Sequence, residues 1–257
     1  MIAVWFSCGA PSAVAAKLTI EKYGKDNVRV INTPVKEEDE DNRRFLKDVE
    51  AWLGVPIEIA IPVEYQDSSA HSVWKKRRYI SGIHGASCTK YIKKQARYEW
   101  QAVHKPDFHV LGFTLEEVNR HKQFVKLENP YLLPILIDAR ITKQDAFRII
   151  KEAGIELPRM YRLGYNNANC IGCCKATSPT YWNHVRKTHP KEFNEIALLS
   201  RELGAKLVRH KGKRIYLDEL PETAQGRPMK AVKFSCSIFC EEFTYLKEAM
   251  TEAERGG

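Results

Sequence analysis

Apolar residues fall in short blocks at 2–6, 28–33, 57–63 and 108–113, separated by stretches in which they recur every three or four positions. The blocks predict β-strands, and the periodic stretches, clearest over 41–53, predict amphipathic helices. Strand and helix alternate, which predicts an α/β fold: a mostly parallel twisted sheet with right-handed crossovers and helices on both faces. Further along, Thr142 is placed as an N-cap with Asp145 three residues on, and the helix it opens runs out at Gly154. Two more helices follow at 181–189 and 192–203, divided at Pro190, and the basic segment 207–220 reads as a hairpin bending at Gly212. Residues 1–175 are expected to form the main domain, and 176–257 a helical, basic, cysteine-containing C-terminal appendage that folds back on it. The segment 221–228 has the composition of a linker.

The junction between the first block and its helix is Ser7-Cys8-Gly9-Ala10-Pro11-Ser12. Small residues there expose backbone N–H groups at a helix N-terminus, a phosphate cradle in which the Ser7 and Ser12 hydroxyls add donors. Small residues also suit any strand-to-helix turn. Ligands of parallel sheets collect at the carboxyl ends of the strands, so Asn32 and Thr33 are expected on the same rim as this loop.

Seven cysteines in 257 residues shift attention to a second region. Cys170, Cys173 and Cys174 lie in Tyr-Asn-Asn-Ala-Asn-Cys-Ile-Gly-Cys-Cys, where Gly172 permits a tight Cys-x-x-Cys turn able to present two sulfurs to one metal or cluster. Cys174, next to Cys173, reads as packing. Cys236 and Cys240 form a later pair. Cys88 opens a helical stretch with Lys90, Lys93 and Lys94 in its first turns, where cations and a helix N-terminus favour a thiolate. No run of about 18 apolar residues and no signal-like start appears, so no membrane segment is expected and the protein is expected to be cytoplasmic. The net charge of +9, with basic runs at 75–78 and 206–214, favours anionic nucleotides or nucleic acid as partners, although each run is also what a solvated face looks like.

Taken in order, these segments resemble the phosphoadenosine phosphosulfate (PAPS) reductase family of the adenine-nucleotide alpha-hydrolase fold, and more closely the PAPS reductase-like proteins of phages and prophages. The 7–12 loop resembles the family's PP-loop, usually Ser-Gly-Gly-x-Asp-Ser. Cys88 through Lys93 resembles its cysteine followed by lysines, and Gly112 to Arg120 its glycine, glutamate and arginine segment. Residues 133–145 are similar to its Pro-Leu strand with a Thr-x-x-Asp helix start. The run from Met160 and Tyr161 to Cys173 resembles its Leu-Tyr-x-x-Gly-Tyr lead into Cys-x-x-Cys.

The resemblance implies that Ser7, Cys8, Gly9, Ser12, Thr33, Gly112 and Arg120 bind an adenine nucleotide: ATP, adenylyl sulfate or PAPS. It implies a [4Fe-4S] cluster on Cys88, Cys170 and Cys173, and a reactive thiol at Cys236. The chain departs from the family at Pro11, which replaces the loop aspartate, at Ser87, which replaces one of a tandem cysteine pair, and at Ser235 and Ser237 around Cys236. Cys240 is a surplus cysteine. One of Cys236 and Cys240 is then expected as fourth ligand and the other as catalytic nucleophile.

The function expected is Fe-S-dependent, nucleotide-binding sulfur chemistry drawing on an electron or sulfur donor, akin to PAPS or adenylyl-sulfate reduction. ATP-dependent thiolation of a nucleic acid on the same fold is the alternative. A third expectation, from a different class, is a non-catalytic nucleic-acid-binding module stabilised by zinc on Cys170, Cys173, Cys236 and Cys240.

Overall fold

The structure, a computed structural model, describes residues 1–82 and 85–229. Its elements in chain order are β1 (Ile2–Phe6), α1 (Ala10–Tyr23), β2 (Val28–Asn32), α2 (Asp41–Leu53), β3 (Ile57–Ile59), α3 (Ala70–Arg77), β4 (Ser81–Gly82) and β5 (Gly85–Ala86). A π-helical turn, Thr89–Lys94, leads into α4 (Gln95–His104), followed by β6 (Phe108–Val110), α5 (Val118–Leu127), β7 (Leu132–Leu133), α6 (Ile135–Asp138) and α7 (Lys143–Glu152). The chain continues through α8 (Arg159–Arg162), α9 (Pro179–Thr188), α10 (Pro190–Glu202), β8 (Val208–His210) and β9 (Lys213–Ile215).

Five strands pair in parallel in the order β3-β2-β1-β6-β7, a Rossmann-like arrangement. Every residue of β1 is buried because β1 is central and covered on both faces. Ile2, Val4 and Phe6 pack with α1, α2 and α7, through residues such as Val14, Phe45 and Ile150. Ala3 and Trp5 pack on the other face with Trp100 of α4 and Phe124 of α5. Helix α1 has little apolar-polar sidedness, since the sheet and α7 enclose it and eight of its fourteen residues are buried.

A third apolar cluster joins Val35, Tyr65, Trp74, Ile80 and Ile92 to Cys170, Cys173, Cys174, Trp182, Phe193, Ile196 and Val208. Helices α9 and α10 and the β8–β9 hairpin therefore share a core with residues from the first half of the chain. The segment with linker composition is tied to α9: Asn183 Nδ2 donates to the carbonyls of Pro221 and Ala224, and the Gly226 N–H donates to Thr180 Oγ1.

Three strand expectations are shortened. The 57–63 block is strand only as far as Ile59, and Ile59, Ile61 and Val63 stand exposed along an edge interrupted by Pro62. The 108–113 block stops at Val110. After Leu133 the apolar run Ile135–Asp138 turns helical, a short run whose type periodicity alone does not decide. Among the described residues no helix is long and apolar enough to cross a membrane.

Candidate functional site

Strand order reverses between β1 and β6, so the crevice of the sheet opens at the carboxyl ends of these two strands. The 7–12 loop follows β1 and Gly112 follows β6. The two are in contact: a Cβ at Gly112 would lie 2.6 Å from the Ser12 nitrogen and 2.9 Å from the Pro11 carbonyl carbon. Only glycine lets the backbones approach this closely.

Within the loop Cys8 adopts φ 55°, the left-handed region that a β-carbon disfavours and that the glycine of the resembling motif would occupy freely. The Ser7 N–H donates to Ser12 Oγ (3.1 Å), and the Ser12 hydroxyl donates to the Gly9 carbonyl (2.8 Å). Ser12 is buried, so its proton is committed to the turn, in place of the expected role as an extra phosphate donor. Ser7 is exposed, and its hydroxyl lies 3.2 Å from Ser12 Oγ. At the end of β2, Asn32 Nδ2 donates to the Phe6 carbonyl (2.8 Å) and to Cys8 Sγ (3.5 Å), fixing the rim on which the buried Thr33 also sits.

Burial pushes the Cys8 thiol well up, and the nearby Glu38 carboxylate adds to the effect while Lys93 opposes it. Cys8 is therefore a protonated, structural thiol. Glu38 and Lys93 form a buried ion pair of 3.1 Å. The backbone of Glu38 bridges Cys170, the Ile171 N–H donates to the Glu37 carbonyl (2.9 Å), and Asn42 Nδ2 reaches the Ala168 carbonyl at 3.4 Å. These contacts join the rim at the ends of β1 and β2 to the cysteine turn. Sequence reasoning passed over Glu37 and Glu38; the signal available was an acidic run directly after the second strand's rim.

Tyr161, at the head of the cysteine stretch, reaches the loop as well. Its hydroxyl lies 3.1 Å from where a Gly9 Cβ would stand, hydrogen-bonds the Ala10 and Ala168 backbones, and is held protonated by burial. Lys143, at the start of α7, donates to the Asn166 carbonyl and to Asn167 Oδ1 (3.2 Å), and burial lowers its pKa. Arg120 is turned to Glu117 (2.6 Å) and lies over the Phe113 ring. Glu117 and Thr114 form the capping box that starts the helical segment leading to α5.

The cysteine turn is built on Gly172 at φ 65°. The Cys173 N–H donates to the Tyr181 hydroxyl (2.8 Å), and the Ser81 hydroxyl donates to the Cys174 carbonyl (3.0 Å). Cys174 is buried, but it does more than pack: its thiol is hydrogen-bonded to Cys88, and that contact and burial raise its pKa. Of the lysines beside Cys88, Lys93 and Lys94 are buried and pair with Glu38 and Glu128. None of Cys8, Cys88, Cys170, Cys173 and Cys174 is joined in a disulfide. These soft donors suit zinc or an iron-sulfur cluster in type. Among the described residues no three His, Cys, Asp or Glu side chains are grouped to hold a metal ion.

Cys236 and Cys240 lie outside the described residues. Met229 closes a small hollow lined by Met160, Tyr165, Asn169, Cys170 and Tyr181, and its carbonyl accepts from Asn166 Nδ2. No protein-family model and no curated protein sequence matches the chain.

Proposed function

We propose that the chain binds an adenine nucleotide in the crevice between β1 and β6 and performs sulfur chemistry of the PAPS-reductase kind beside it. The observation that carries this reading is the contact of Gly112 with Ser12, which makes one rim of the β1 and β6 loops, with Tyr161 extending that rim to the cysteine turn.

The N-terminus of α1 supplies backbone N–H groups and positive dipole to the nucleotide's phosphates, and the Ser7 hydroxyl donates beside them. Asn32 and Gly112 hold that loop in shape. In the reductase reaction a cysteine thiolate attacks the sulfur of the activated sulfate. An S–S bond forms, the S–O bond to the nucleotide phosphate breaks, and the adenine nucleotide leaves with the electron pair. The thiol assigned this role is Cys236 or Cys240.

Cys88, Cys170 and Cys173 are the thiols that would hold a [4Fe-4S] cluster or zinc ion, and the thiolate attack does not depend on it. Anaerobically purified protein, analysed for iron, sulfide and zinc and titrated calorimetrically with ATP, adenylyl sulfate and PAPS, tests the reading. Binding of one nucleotide supports it. Binding of none overturns it, and zinc alone with no nucleotide binding would favour the non-catalytic module.

A further inference from the structure

We propose that the β8–β9 hairpin is a docking surface for the phosphodiester backbone of a nucleic acid, an inference that stands apart from the nucleotide site. The chain has two basic runs, and the structure treats them differently. In the 75–78 run, Lys76 and Arg77 both pair with Glu64 (2.9 and 2.7 Å), Arg77 also donates to the Tyr65 hydroxyl, and Arg78 pairs with Glu202 at 3.5 Å. Most of that charge is neutralised within the fold.

The hairpin keeps its charge. Residues 203–217 contain no Asp or Glu, and Arg209, Lys211, Lys213 and Arg214 are exposed with no ion pair among the described residues. The nearest acids in sequence, Asp218 and Glu219, are already engaged by Arg201. Register sharpens the point: Arg209 lies directly opposite Arg214, and His210 opposite Lys213. Like charges facing each other across a ladder destabilise it, and a polyanion laid along the ribbon would relieve that repulsion.

The ribbon is also held rigidly. Val208 is fully buried in the third cluster, the Arg209 N–H donates to the Thr177 carbonyl, and Arg214 Nη1 donates to the Leu207 carbonyl. Lys211 and Gly212, with φ of 47° and 78°, form the two-residue turn and put a lysine at the tip. A two-stranded ribbon of this width enters a nucleic-acid groove, and its cations bind phosphates regardless of sequence.

Fluorescence anisotropy with labelled single-stranded DNA, its duplex and the matching RNA, measured across a salt series, tests the proposal. The triple variant R209Q/K211Q/K213Q should bind the preferred oligonucleotide about tenfold or more weakly at low salt, with the log-log salt slope reduced by about 2 to 3. K75Q/K76Q should bind like the wild type. A circular dichroism melt on each variant shows whether the fold is kept; since these side chains are exposed and R209Q relieves the repulsion from Arg214, an unchanged or slightly raised melting temperature is expected. Wild-type protein that binds none of the three oligonucleotides overturns the proposal, as does a folded triple variant with wild-type affinity. Sedimentation with phosphatidylserine vesicles in the absence of any oligonucleotide binding would reassign the hairpin to a membrane surface and equally overturn it.

Discussion

Gly112 lies against the backbone of Ser12, so closely that a methyl group at position 112 would stand 2.6 Å from the Ser12 nitrogen. The neighbouring atoms are backbone, in a loop cross-braced by the Ser12 hydroxyl, and cannot turn aside as a side-chain tip would. Gly112→Ala should therefore displace the 7–12 loop, costing about 1–3 kcal/mol of stability. Nucleotide affinity should fall at least about tenfold, as expected when phosphate donors leave their positions. Calorimetry on the folded variant checks this, and retained affinity would remove the loop from the site.

The Glu38–Lys93 pair lies beneath Cys8 and beside Cys170, with both side chains under a tenth exposed. Lys93→Met leaves Glu38 buried without its partner, and a loss of about 3–5 kcal/mol is expected. The double variant E38M/K93M removes both charges and should recover most of that loss, since apolar replacement of a buried pair is often close to neutral. Urea denaturation of the three proteins gives the comparison. Equal stabilities for the single and double variants would show that the lysine acts by packing alone.

What was legible in the sequence was what neighbours in sequence decide. The Thr142–Asp145 capping box, the bend at Gly212 and helix α2, Asp41–Leu53, each depend on residues within a few positions, and each is in place. The loop at 7–12 was legible as a turn for the same reason. The contacts that join it to the rest of the candidate site were not. Gly112 against Ser12, Lys93 on Glu38 and Cys174 on Cys88 join residues 55 to 100 positions apart, and sequence spacing carries no information about such pairs. Lys93 illustrates the cost: between Lys90 and Lys94 it reads as one of the cations near Cys88, while the fold uses it to neutralise a buried carboxylate.

His109 is buried between Trp5, whose Nε1–H donates to its Nδ1 at 3.1 Å, and Gln101. Desolvation first, and the Arg97 charge second, lower its pKa from 6.5 to about 4. Protonation would place an N–H against the Trp5 donor. The unfolded chain therefore binds this proton more readily than the folded one. The contribution of His109 to stability is complete above about pH 6.5, declines as pH falls, and levels off below about pH 4. Allowing for partial solvent screening, the loss is roughly 2 kcal/mol. Denaturation at pH 7 and near pH 4 should show that difference shrink in His109→Gln; an unaltered pH slope would assign the acid sensitivity to other groups.

Gly172 carries two separable demands. Its φ of 65° is unfavourable for any residue with a β-carbon, and a Cβ there would lie 2.3 Å from Ile196 Cδ1 and 3.2 Å from the Trp182 ring. Gly172→Ala should cost about 1–2 kcal/mol for the left-handed backbone and about 1–3 kcal/mol for the overlap. Ile196→Val deletes only the Cδ1 atom, at about 1 kcal/mol in the wild-type background. Combined with Ile196→Val, the alanine should lose the overlap and keep the backbone cost, so the double variant is more stable than the sum of the single losses allows. The difference, about 1–2 kcal/mol in a double-mutant cycle, measures how tightly the Cys170–Cys174 turn is pressed onto α10. A coupling near zero would show that the Ile196 side chain swings away freely and that the turn is held by its own backbone.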